Sequence, residues 1–119
     1  MNLSQLPYLN VPLFESSRVY LCLSREEWQQ AHSFFNVKAD KLDRRGAANT
    51  FKSLSANQDI HLLGWFDGEF STLAHEAAHI VFDICYLVGI EVEAGKANET
   101  FCYLLDCIMQ FAKCRVKSR

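Results

Sequence analysis

The chain has 119 residues, half of them hydrophobic and 22% charged, with a formal net charge of −2. That length can bury a core without staples, so a single domain over residues 1–119 is expected, and the charge balance argues against a nucleic-acid-binding surface. No run of eighteen apolar residues and no charged-then-apolar leader is present, which points away from membrane insertion and export.

Residues 1–17 carry Pro7 and Pro12 among scattered Leu, Tyr and Phe, and read as an irregular arm laid over the core. Arg18–Leu23 is β-branched and aromatic, a short strand. Ser24 and Glu27 form a capping box that starts a helix through about Asn36, with Trp28, Ala31, Phe34 and Phe35 as its apolar contacts and His32 packed at its edge. Lys38 to Arg45 is a mixed charge run ending at Gly46, expected as a solvated turn or short helix. Ala48–Leu54 and Ile60–Phe66 flank a polar link and predict an antiparallel hairpin. Asp67-Gly68 then turns the chain into the next element. Cys22, Cys85, Cys102, Cys107 and Cys114 are odd in number with no close CxxC pair, which predicts reduced thiols in a cytoplasm.

From Phe70 to Gly89 there is neither proline nor internal glycine, so a helix is expected, stopped by Gly89 at a C′ position. On a wheel, Leu73, Ala74, Ala77, Ala78, Val81, Ile84, Cys85 and Val88 gather on one apolar face. The other face holds His75, Glu76, His79, Asp83 and Tyr86. His75-Glu76-Ala77-Ala78-His79 has H-E-x-x-H spacing, which sets two imidazoles one turn apart, about 6 Å along the axis, where they can converge on one ion. Glu76 lies beside them, able to reach a water on the ion without being a ligand itself.

A second helix is expected from Asn98 to about Lys113, with Phe101, Leu104, Leu105, Ile108 and Ala112 as its core stripe. Glu99, Cys102, Tyr103, Asp106 and Gln110 occupy another face. The link from Ile90 to Ala97 can reverse the chain into an antiparallel αα-hairpin whose polar faces meet. Glu99 is then the expected third ligand, with Cys102 a rival. Two His and one carboxylate leave a fourth position for water, as in a catalytic rather than a structural zinc site.

HEAAHIVFD, the LVGI that ends the helix, and NETFCYLLD resemble the gluzincin class of zinc metallopeptidases, and more closely the small metallopeptidases encoded in phages and prophages. The resemblance covers roughly residues 70–106. It implies Zn2+ held by His75, His79 and Glu99, Glu76 as general base, a peptide or protein substrate, and a bacterial host cytoplasm. Thermolysin-like members carry an aspartate four residues after the glutamate to orient a ligand histidine. Tyr103 stands there in this chain, so Asp83 or Asp106 is expected to hold a histidine's second nitrogen. Tyr103, Tyr86 and His61 are candidates for stabilising the oxyanion, and His61 also has a structural reading.

The fold expected is α+β, a minimal zincin-like domain. A small antiparallel sheet packs on an N-terminal helix, the HExxH helix and the C-terminal helix. The strand preceding the HExxH helix is expected to edge the cleft, where an extended peptide could add to the sheet. The competing readings are a zinc-binding protein-interaction module without catalysis, and a polar-faced helical hairpin without metal.

Overall fold

Two segments, Ser17–Cys22 (β2) and Asp59–Trp65 (β4), are buried almost along their whole length. Strands covered on both faces belong at the centre of a sheet. The structure, a computed structural model, describes residues 3–13, 17–52, 58–96 and 98–117 and places them there. β2 and β4 pair in parallel, with Val19 opposite His61, in a four-stranded sheet ordered β1-β2-β4-β3. The outer strands are Tyr8–Asn10 (β1) and Gly46–Phe51 (β3), each antiparallel to its neighbour. The protein is thus α+β, but its sheet is mixed where the sequence predicts an antiparallel one. The reason is the helix α1 (Arg25–Phe34), which carries the chain back across one face before the β3–β4 hairpin, so that β4 runs alongside β2 in the same direction.

The described part of the predicted arm, residues 3–13, contains regular structure where its composition suggests none. It forms a short 3-10 turn, Leu3–Gln5, and then β1. Arg18 anchors that strand, donating to Asn10 Oδ1 at 3.0 Å and stacking its guanidinium 4.5 Å over the Tyr8 ring. The capping box at α1 forms as predicted. Ser24 Oγ accepts from the Glu27 N–H at 3.1 Å, and Glu27 Oε1 accepts from the Leu23 N–H at 2.8 Å. Ser53 and Leu54, predicted to extend β3, lie outside the described residues.

Helices Phe70–Leu87 (α2) and Glu99–Lys117 (α3) cover the face of the sheet opposite α1. One core joins Val19, Leu21, Leu63 and Trp65 to Leu73, Ala77, Ile80 and Ile84 of α2 and to Ile108 and Ala112 of α3. The other joins Tyr20, Cys22 and Leu62 to Trp28 and Ala31 of α1. Each large side chain so buried contributes on the order of 1.5–3 kcal/mol. The two covering helices are antiparallel: Phe82 meets Phe101 at 4.7 Å at one end, and Lys113 lies 5.6 Å over Phe70 at the other.

α2 starts from a turn held by Asp67, whose carboxylate accepts from the Glu69 N–H at 3.0 Å and from Thr72 Oγ1 at 2.7 Å. It ends on Gly89 at φ +79, with the Ile90 N–H donating to the Cys85 carbonyl at 2.8 Å. That is the Schellman closure the sequence predicts, and only glycine takes this φ without strain. All five cysteines are free, with Cys22 and Cys85 buried. Burial pushes the Cys22 thiol up to about 12, so it stays protonated and unreactive. No described helix is long and apolar enough to cross a membrane.

Candidate metal centre

The helical period puts His75 and His79 on one exposed side of α2, and their rings face each other at 4.8 Å between centroids. Their Nε2 atoms are 3.3 Å apart. Two imidazole nitrogens on a tetrahedral ion at 2.0–2.1 Å would be separated by roughly 3.4 Å, so the pair has the right span for one edge of such a site. Glu76, with its side chain only 15% exposed, sets Oε2 3.9 Å from His75 Nε2. Together His75, Glu76 and His79 offer ligand atoms within 4.8 Å of one another, the one such group of at least three His, Cys, Asp or Glu among the described residues.

Packing against β3 positions Glu76. A Cβ on Gly46 would stand 2.6 Å from Thr72 Cγ2, 2.9 Å from the Gly64 carbonyl and 3.0 Å from Glu76 Cγ. The bare backbone at 46 therefore lets α2 lie against the edge strand, with Glu76 wedged between them. The resulting cleft, about 170 Å³, is lined by Lys41, Arg44, Gly46, Ala48, His75, Glu76, His79 and Asp83.

Behind the cleft a hydrogen-bonded chain runs into the sheet. Thr50 Oγ1 donates to Asp83 Oδ2 at 2.9 Å and contacts His61 Nδ1 at 2.8 Å. The hydroxyl has one proton and the carboxylate takes it, so His61 must donate from Nδ1, which fixes its tautomer. His61 is wholly buried and its Nε2 has no hydrogen-bond partner. Burial pushes its pKa down to about 4, against the pull of Asp83 and Asp59, so the ring is neutral. The oxyanion role considered for His61 needs a ring open to the cleft; this one stands behind Thr50 and braces Asp83 instead.

Comparison with protein-family models, curated proteins and solved structures gives no match. The centre is therefore defined by its own geometry.

The remaining predicted residues lie elsewhere. Glu99 and Tyr103 open onto a separate groove of about 250 Å³ that they share with Pro12, Leu13, Thr100, Leu104 and Cys107. Tyr86 is 83% exposed and lines a third groove, with Phe82, Cys85 and residues 89–93. Cys102 and Asp106 are exposed on α3. The expected meeting of polar faces does not occur because both helices turn apolar faces to the sheet and to each other. Their polar faces then diverge, and Glu99 is carried away from the histidines.

The residues missed from sequence are Lys41 and Arg44. Their segment looked like a solvated charge run, yet it is clamped: Arg25 donates to the carbonyls of Leu42 at 2.7 Å and Arg44 at 2.8 Å. Lys41 sits in the left-handed region at φ +59, uncommon for a side-chain-bearing residue. Its ammonium donates to the Ala48 carbonyl at 2.9 Å and to Asn49 Oδ1 at 2.8 Å. Asn49 in turn donates to His32 Nε2 at 2.8 Å, tying the loop to α1. A helix-edge His and a Lys in a charge run carry no sequence signal for such a network.

Proposed function

We propose that the chain is a metal-dependent hydrolase of peptide bonds, with Zn2+ held by His75 and His79, a minimal relative in design of the gluzincin peptidases. The observation that carries this reading is the 3.3 Å separation of the two Nε2 atoms. When bound, the ion would polarise the scissile carbonyl and acidify a water. Glu76, next to the pair and nearly enclosed, takes the proton of the attacking water and returns it to the leaving amine. Asp83, held by Thr50, also lines the cleft. β3 is the edge strand beside the cleft, a place that the sequence assigned to the strand before α2.

The test is metal content. The wild-type protein should bind one zinc per chain, and His79→Ala should weaken binding at least a hundredfold. Wild-type protein that takes up no zinc when it is supplied would overturn the reading.

A second reading is favoured by the displacement of Glu99. With no other carboxylate in the cluster, Glu76 itself would complete the ligand set, and the chain would be a zinc-binding interaction module without a general base. Glu76→Gln separates the two, since a base can be neutralised without loss of metal and a ligand cannot.

A further inference from the structure

Two cations line the cleft that holds the histidines. Lys41 and Arg44 line it together with His75, Glu76, His79 and Asp83. Lys41 gives two of its three ammonium protons to uncharged acceptors, Ala48 O and Asn49 Oδ1, which hold the head in place and leave one donor over. Arg44 is fixed through its backbone, whose carbonyl accepts from Arg25 and whose N–H donates to the Lys41 carbonyl at 3.2 Å. Among the described residues its guanidinium has no hydrogen bond or ion pair. Of the two acids that share the cleft, Asp83 accepts from Thr50 Oγ1 and Glu76 Oε2 lies 3.9 Å from His75 Nε2, and neither forms an ion pair with Lys41 or Arg44 among the described residues. The cleft is thus lined by one cation whose head is held in place, Lys41, and one whose guanidinium is unengaged, Arg44.

The size of the cleft narrows what they can take. The cleft of about 170 Å³ shares Arg44, Gly46, His75 and Glu76 with a groove of about 420 Å³, so an end group or short side chain can seat in the cleft while the rest of a peptide lies in the groove. A guanidinium fork beside an ammonium matches a planar carboxylate in shape and in charge. We propose that Lys41 and Arg44 bind a carboxylate of the substrate, so that the chain acts on peptides that carry this group next to the scissile bond. The link to cleavage rests on the hydrolase reading; the anion site itself does not.

The carboxylate could come from a peptide's C-terminus or from an acidic side chain. NMR titration of the full-length, metal-free protein distinguishes these. The probes are N-acetyl-Ala-Ala with a free C-terminus, its C-terminal amide, and N-acetyl-Ala-Glu-Ala amide. At least one carboxylate-bearing peptide should bind tenfold or more tightly than the Ala-Ala amide, with shifts at residues 41–48, and whichever does so names the source. Lys41→Met and Arg44→Gln should each abolish most of that preference. Arg44→Gln keeps the test decisive if Lys41→Met loosens the loop, because the Arg44 side chain makes no contact that the fold needs. Equal binding of acids and amide, or a preference that survives both substitutions, would overturn the proposal. The protein is metal-free throughout, so failure to bind zinc would sink the hydrolase reading and leave this result standing.

Discussion

Acidification should destabilise this protein through His61. The ring is wholly buried, its Nδ1 proton is committed to Thr50, and its pKa is lowered to about 4 by burial, against about 6.5 in an unfolded chain. As pH falls below 6.5 the unfolded state binds the proton first, so stability is full above that value and is lost on the way down to pH 4. Linkage over those two values gives a loss of about 2 kcal/mol at pH 5 and about 3 kcal/mol at pH 4, a large part of the ~5–15 kcal/mol that holds a typical domain together. Urea unfolding at pH 7 and pH 5 reads this as a midpoint shift of roughly 1 M, for a slope of ~1–3 kcal/mol per M. His61→Asn keeps an N–H donor near the position of Nδ1 but cannot titrate. It should lose about 2 kcal/mol less than the wild type between the two pH values. Equal losses in the two proteins, or an imidazole that titrates near 6.5 by NMR in the folded state, would refute the reasoning.

Three further outcomes are expected. Glu76→Gln should retain zinc, measured by metal analysis, while hydrolysis of any peptide the wild type cleaves falls by 10²-fold or more. Glu99→Ala should leave zinc affinity unchanged in calorimetric titration, because Glu99 faces the groove with Pro12 and Leu13 rather than the histidines. Gly46→Ala should destabilise by about 2 kcal/mol in thermal unfolding, because the added methyl meets the Gly64 carbonyl at 2.9 Å and crowds Glu76 Cγ at 3.0 Å.

The helices were legible in the sequence because their signals are local. The Ser24–Glu27 capping box, the Gly89 stop and the helical rhythm of Leu73, Ala77, Val81 and Ile84 each act within a few turns of chain. Strand pairing is not local, and nothing within 18–23 or 60–66 says whether the two segments run parallel. The histidine pair was legible for the same reason as the helices, since i and i+4 on one helix meet whatever lies around them. A third ligand is a different matter. Placing Glu99 depended on how α3 docks, and docking is decided by the apolar faces of both helices and the sheet together. Lys41 was hidden for a related reason: its role comes from a left-handed turn and from partners seven and eight residues away on another strand.

That lysine has a consequence for how the protein meets other chains. In an antiparallel ladder alternate residues turn their backbone groups away from the partner strand, and Ala48 does so, its carbonyl accepting from Lys41 Nζ. The ammonium thus occupies a position where the N–H of an incoming strand would bind. A second copy of the chain trying to zip onto this edge meets a buried-in positive charge instead of an open carbonyl, which guards the protein against open-ended sheet growth.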